Sequence, residues 1–201
     1  MIPKKRDDGF TLVELLAYIL ILAVVMAIAV AYFIQLINHQ GHVRDTAEAG
    51  DSAQLAFKAM ETDVRSSSWA IVAHGGDLLV LQSRVVTSAG SDAERCVGFY
   101  FNASTGDVHR TTSTSGAETK AALAAPDDAS AAAVAADWPV LVSNVDQNGG
   151  SQVFGPGTGA LGRGDSVEMD LVVETSDDWP SWNFQKSIAL RPQSSEILDC
   201  Y

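Results

Sequence analysis

One uninterrupted apolar run constrains this chain more than any other feature. Residues 15–34 read LLAYILILAVVMAIAVAYFI, and none of these side chains is charged. A helix of about 20 residues is about 30 Å long, which matches the hydrocarbon core of a bilayer. Because the rest of the sequence is polar-patterned, the run predicts a chain that crosses a membrane once.

The basic residues around the run predict its orientation. Lys4, Lys5 and Arg6 precede it, and the next basic residue is Arg44. The positive-inside rule places the N-terminus in the cytoplasm and the chain from about residue 35 onward outside. A cleaved secretory signal is the alternative, with a candidate cleavage site at residues 29–31, but its apolar region usually has only about 7 to 15 residues.

A specific motif joins the basic leader to the apolar run. Residues 9–16 read GFTLVELL, which resembles the class III signal of type IV prepilins and type II secretion pseudopilins. The resemblance implies that a prepilin peptidase cuts between Gly9 and Phe10 on the cytoplasmic side and methylates the new Phe10 amine. It also implies an apolar helix that stays on the mature protein, other pilin or pseudopilin subunits as partners, and an inner-membrane assembly platform.

Glu14 places a carboxylate at the front edge of the apolar run. A charge at the centre of a membrane helix costs about 2.5 to 3.5 kcal/mol, and less near the interface, so this position predicts a function. After the cut, Glu14 is one helical turn from the new terminus. A neighbouring subunit shifted by about one turn would set its Phe10 ammonium against Glu14 and fix the register of a polymer. The alternative is a carboxylate that reaches the lipid headgroups.

The helical pattern continues beyond the apolar run and becomes amphipathic. Ala53, Phe57, Met60 and Val64 recur at steps of 4, 3 and 4, which predicts one apolar stripe that faces a domain. We expect a single helix from about residue 10 to residue 66. The expected segments are a leader 1–9, a hydrophobic membrane and polymerisation helix 10–34, its amphipathic half 35–68, and an extracytoplasmic β-rich body 69–201.

The body carries short β-like runs separated by Gly, Asn, Asp and Ser. In the clearest run, Val167–Glu174, an apolar face alternates with a face that carries Glu168 and Asp170, which predicts one side on the core and one toward water. The fold class is therefore α+β, a long N-terminal helix on an antiparallel β-sheet, which the resemblance identifies as the type IV pilin fold. The predicted strands are Trp69–Val72, Leu78–Gln82, Cys96–Phe101, Val108–Thr112, Val140–Val145, Val167–Glu174 and Phe184–Leu190.

A second resemblance covers about half of the body. Three segments are similar to minor pilins and pseudopilins of the J/W type, which are subunits of low abundance. These segments are residues 60–67 (METDVRSS), residues 96–110 and residues 140–145 (VLVSNV). Residues 117–136 are alanine-rich and resemble an insertion. Their composition is compatible with a short surface helix and with a mobile loop.

Cys96 and Cys200 both lie on the predicted extracytoplasmic side, so we expect one disulfide, with two separate thiols as the alternative.

Composition and spacing argue against several other functions. The 13 basic and 25 acidic residues give a net charge of -12, which opposes direct binding to nucleic acid. The histidines are scattered, and His39 and His42 are better explained by headgroup or solvent contact than by a metal. Three groups could offer oxygen ligands to calcium but lack the spacing of a calcium loop: Asp127 with Asp128, Asp146 with Asn148, and Asp177 with Asp178. We therefore predict no catalytic centre, no metal site and no cofactor.

These observations favour a minor type IV pilin-like structural subunit, anchored in the inner membrane and drawn into a cell-surface or periplasmic fibre. A type II secretion pseudopilin uses the same leader and anchor, so the motif does not separate the two. A single-pass anchored or secreted binding domain and an anchored hydrolase are the alternatives from other classes. Residues 179–182, WPSW, would be a contact surface if exposed.

Overall fold

The computed structural model describes residues 11–86, 92–157, 166–174, 181–191 and 200, and the fold is given for these residues. The chain divides into two compact units, Met1–Asp45 and Thr46–Tyr201. The elements, in chain order, are α1 Leu12–Ser66, β1 Ser67–Ala73, β2 Leu78–Val86, β3 Asp92–Asn102, β4 Asp107–Ser113, α2 Ala117–Leu123, α3 Asp128–Ala135, β5 Val140–Val142, β6 Val145–Asp146, β7 Phe154–Pro156, β8 Ser166–Val173 and β9 Trp182–Ala189.

The first unit contains the apolar part of α1. Residues Leu12–Ile37 form 26 residues of helix with a mean hydropathy of 2.8, and none of this segment is buried within the chain. By length and composition it meets the requirements for crossing a membrane. A helix that is apolar on all sides and exposed along its length needs lipid or other helices around it.

The second unit begins with the amphipathic end of α1. Ala53, Ala56, Met60 and Val64 are almost completely buried, and Phe57 packs against the same core, as the spacing predicts. The helix ends where Ser67 donates a hydrogen bond from its Oγ to the carbonyl oxygen of Asp63, at 2.6 Å. A serine side chain that bonds to the backbone competes with the next helical turn, so the chain turns into β1 at this point.

The strands form two antiparallel sheets. The first sheet has the order β1-β2-β3-β4-β5. In the second sheet, β8 pairs with β9 along its whole length and with β6 and β7 near its two ends. The single sheet of the sequence prediction is therefore two sheets, and both contribute side chains to the core around Met60.

The alanine-rich insertion covers the other face of the first sheet. Ala122, Ala131 and Ala135 are fully buried against a core that includes Leu78 and Tyr100. Its residues form the two short helices α2 and α3, so the surface-helix alternative applies and the loop alternative does not. The two helices can pack closely against the sheet because the alanine side chain is small.

The structure corrects two strand predictions. The run Val140–Val145 is broken at Asn144, whose φ of 59° is left-handed, and its two ends belong to different sheets. Asp170 does not face water, because it is 7% exposed and accepts hydrogen bonds from Asn148 and Ser151 at 3.0 Å. Sequence reasoning also missed β7, which is only three residues long.

Candidate processing and assembly site

Gly9 and Phe10, the predicted cleavage pair, lie outside the described residues, as does the leader. The described residues begin at Thr11, the second residue after the predicted cut. The structure therefore describes the beginning of α1, which the predicted cut would leave close to the new N-terminus.

Thr11 and Glu14 form the beginning of α1. The Thr11 carbonyl oxygen accepts hydrogen bonds from the backbone nitrogens of Glu14, at 3.0 Å, and Leu15, at 3.2 Å. The hydroxyl oxygen of Thr11 also accepts a hydrogen bond from the Glu14 nitrogen, at 3.4 Å. Thr-x-x-Glu is the spacing of a capping box, and a carboxylate in the first turn is favoured by the helix dipole. Sequence analysis missed Thr11, although this spacing is the signal that identifies it.

Glu14 is exposed and lies among exposed apolar side chains. Leu12 is 79% exposed, Val13 is 77% exposed and Leu15 is 53% exposed. A carboxylate surrounded by apolar surface loses its water when that surface is covered by lipid or by another helix. Its position is thus suited to a cationic partner supplied from outside the chain.

A cluster of charges fixes the other end of α1 to the body. Glu61 accepts hydrogen bonds from Lys186 of β9, at 2.8 Å, and from Arg65, at 2.9 Å. These contacts, led by the hydrogen bond from Lys186, lower the pKa of Glu61 to about 2. Lys58 lies 3.6 Å from the other carboxylate oxygen. Glu61 therefore stays ionised at all but strongly acidic pH.

Asp63 joins α1 to the first sheet. Its carboxylate accepts two hydrogen bonds from Arg110 of β4, at 2.8 and 3.0 Å, and one from Arg95 of β3, at 3.3 Å. Arg110 also lies over the ring of Phe99, 6.0 Å from its centre. Sequence analysis used residues 60–67 for the apolar stripe and for their resemblance, and it did not predict this cluster.

Cys96 and Cys200 form a disulfide in the structure, with their Cα atoms 5.6 Å apart. Both residues are buried beside the alanine-rich insertion. The Thr119 hydroxyl donates a hydrogen bond to the Cys200 carbonyl oxygen, at 3.3 Å, which also ties this residue to α2.

The remaining candidates do not come together as a site. Asp127 caps α3 by accepting a hydrogen bond from the Ser130 nitrogen at 2.8 Å, and Asp146 accepts one from the Gln147 nitrogen at 2.7 Å. Among the described residues, no group of three or more His, Cys, Asp or Glu is arranged to hold a metal ion. Residues 177–178 and Trp179 lie outside the described residues, and Trp182 is 40% exposed.

Comparisons with known proteins bear on the N-terminal end of the chain. The family model described as the prokaryotic N-terminal methylation motif matches residues 4–30. No curated protein matches the chain. No solved structure matches it either.

The matched segment includes residues 4–9 of the predicted leader, the Gly9–Phe10 junction, Glu14 and most of the apolar helix. It marks the chain as a type IV pilin-like or pseudopilin precursor and indicates a structural subunit with a membrane anchor. A long apolar helix followed by antiparallel β-structure is the α+β arrangement of the type IV pilin fold. The chain carries the class III, prepilin-type signal of a type IV pilin-like protein.

Proposed function

We propose that this chain is a minor type IV pilin-like subunit, which prepilin peptidase cuts between Gly9 and Phe10 and which then joins a fibre through α1. The observation that carries the proposal is the methylation motif at residues 4–30, which runs directly into an apolar helix with no buried face. The assignment to the minor class is supported by the resemblance of residues 60–67, 96–110 and 140–145 to J/W-type subunits.

Before assembly, α1 holds the chain in the inner membrane with its N-terminus in the cytoplasm and its body outside. Lys4, Lys5 and Arg6 favour this orientation because basic residues stay on the cytoplasmic side. In the fibre, the exposed apolar surface of Leu12–Ile37 exchanges lipid for the helices of other subunits. The assembly platform of the membrane drives this exchange.

Glu14 selects the register of assembly in this proposal. Once the N-terminal helices of two subunits pack together, the Glu14 carboxylate and the Phe10 ammonium of its neighbour are both removed from water. Taking away one partner of a buried ion pair costs about 3 to 5 kcal/mol, because the other charge remains without compensation. A subunit without Glu14 is therefore rejected by the fibre.

The test compares Glu14→Ala with Thr11→Ala in cells that make the fibre. Both substitutions weaken the start of α1, because the Thr11 hydroxyl oxygen accepts a hydrogen bond from the Glu14 nitrogen and the Glu14 carboxylate is favoured by the helix dipole, but only the first removes the charge. We expect both variants to be cut normally, and only Glu14→Ala to be lost from sheared fibres. Recovery of Glu14→Ala in fibres at the wild-type level would overturn the role of Glu14.

A type II secretion pseudopilin is the alternative within the same class. Both kinds of subunit share the leader, the anchor and the Glu14 pairing. Deleting the assembly platform of each system in turn distinguishes them, since only the cognate deletion leaves the cut subunit in the membrane.

A further inference from the structure

A groove lies between the alanine-rich insertion and β4, on the face of the first sheet that is turned away from α1. Its volume is about 490 Å³, which is within the range of sites that hold ligands. Much of its lining is apolar, with Ala121 from α2, Val134 from α3, and Trp138 and Pro139 from the segment that follows α3. Contacts made through α1 leave this groove open, because they use the opposite face of the sheet.

A second cleft joins this groove and extends it to the edge of the sheet. The two share Thr111, Glu118 and Pro139, and the second cleft, of about 320 Å³, also borders Thr112 and Val140. We call the two clefts together the insertion groove. Val140 is a large apolar residue at its rim and is 53% exposed, which is typical of a surface that contacts another protein.

The edge of β4 is open where it borders the insertion groove. Pairing between β4 and β5 stops where the Arg110 nitrogen donates a hydrogen bond to the Pro139 carbonyl oxygen, at 2.9 Å. β4 continues to Ser113, and among the described strands only β3 pairs with it there. Backbone groups on one edge of a strand recur at every second residue, so the Thr112 N–H and C=O point the same way as the Arg110 N–H, away from β3. A further strand could therefore pair with β4 at Thr112.

The charge of the insertion groove is acidic. Glu118 and Asp137 both line it and are both exposed. The Thr111 hydroxyl donates a hydrogen bond to Glu118, which orients this carboxylate. Arg110 borders the second cleft, but Asp63 already binds its guanidinium group, at 2.8 Å. Carboxylates beside apolar side chains complement a lysine or arginine side chain, which has an aliphatic stem and a charged end.

We propose that the insertion groove binds an extended, basic segment of a different protein. The segment adds a strand to β4 at Thr112 and places a lysine or arginine side chain beside Glu118 and Asp137. In this mode of recognition, backbone hydrogen bonds supply affinity and the side chain supplies selectivity. A different protein is the occupant because this chain has a net charge of -12, so a second copy would be repelled.

Selection from a library of random nine-residue peptides, with the full chain in detergent as the target, tests this proposal. We expect the selected peptides to be enriched several-fold in lysine and arginine over the input library. Binding of a selected peptide should slow hydrogen exchange of the Thr112 amide several-fold, because its N–H gains a partner. A selection without excess basic residues, or a peptide that leaves the Thr112 amide unprotected, would overturn the proposal.

Glu118→Gln separates the site from general attraction to an acidic chain. Glutamine keeps an oxygen that can accept the Thr111 hydrogen bond, so the substitution removes the charge and little else. Glu48→Gln is the matched control, since it removes the same charge at an exposed position of α1. We expect a selected peptide to bind Glu118→Gln several-fold more weakly and Glu48→Gln as tightly as the wild type. An equal loss in both variants would overturn the site.

Thr112→Pro tests the strand pairing. Proline removes the N–H at the open edge, which β3 does not use, whereas the control Thr112→Ala keeps it. We expect peptide binding to fall several-fold in the proline variant only, and equal binding by the two would contradict strand addition. Thermal unfolding shows whether both variants fold, and if the proline variant does not, exchange of the wild-type Thr112 amide decides. None of these measurements involves a fibre, so their failure would leave the proposed function intact.

Discussion

Asp63 of α1 and Arg110 of β4 are joined by two hydrogen bonds, 2.8 and 3.0 Å long, although 47 residues separate them in the sequence. Asp63 is 8% exposed, and the Arg110 side chain is 29% exposed. The pair thus fixes the last turns of α1 to the first sheet, at the point where the helix meets the body.

Removing the Asp63 carboxylate should destabilise the body. Asp63→Ala leaves Arg110 and Arg95 without their shared counter-charge, and we expect a loss of about 1 to 3 kcal/mol, below the cost of breaking a fully buried pair because both arginines are partly exposed. Thermal unfolding of the full chain in detergent measures this. Glu48→Ala, on the exposed face of the same helix, is the control, and an equal effect of both substitutions would contradict the prediction.

Glu61 should make the stability of the body depend on pH. Its pKa falls from 4.5 to about 2 in the folded chain, so its contribution is complete above pH 4.5 and is lost as the pH falls through about 2. We expect Glu61→Gln to lower the unfolding temperature near neutral pH and to converge with the wild type on acidification. A difference that stays constant over this range would argue against the assignment.

Gly98 of β3 lies directly beneath Trp138, and a larger residue fits there only if neighbouring side chains shift. A Cβ atom at this position would lie 2.8 Å from Trp138 Cη2 and 3.0 Å from Thr119 Cγ2. We expect Gly98→Ala to destabilise the chain by about 1 to 3 kcal/mol, since overpacking displaces the insertion. Gly155→Ala is the control, because its Cβ would make an ordinary contact at 3.6 Å. Equal unfolding temperatures for the two variants would refute the close packing.

The bond between Cys96 and Cys200 should be present in protein taken from an oxidising compartment. It spans 104 residues, and closing a loop of that size stabilises a fold by about 4 to 5 kcal/mol in the chain-entropy model. Mass spectrometry after alkylation without reduction should find no labelled cysteine. Two labelled cysteines would contradict the bond.

Local patterns predicted α1 and most strands because each depends on residues close in sequence. The 3-4 spacing through Met60 and Val64 needs only one buried face, and the apolar run needs only its length and lack of charge. The class III motif is equally local, which is why residues 9–16 sufficed to indicate the signal that the family comparison supports.

Features that depend on distant residues were not predicted. Alternation placed Asp170 toward water, but Asn148 and Ser151 lie over it and satisfy its carboxylate. The apolar run breaks at Asn144 because its two ends pair with different sheets, and there the backbone bonds to Gly106 and Glu174, far away in the sequence. The Asp63 and Glu61 clusters join residues of α1 to three separate strands, and no spacing in the sequence reveals such contacts.

The most direct test of the central claim is the mass of the N-terminal peptide of the mature protein. The account predicts a chain that begins at Phe10 with one added methyl group on its amine. Gly9→Leu, which gives the peptidase a side chain at the position before the cut, should leave the nine leader residues in place. A mature chain that begins at Tyr32 would identify an ordinary secretory signal, and an intact Met1 in the wild type would identify a simple anchor. Either result would contradict the pilin-like account.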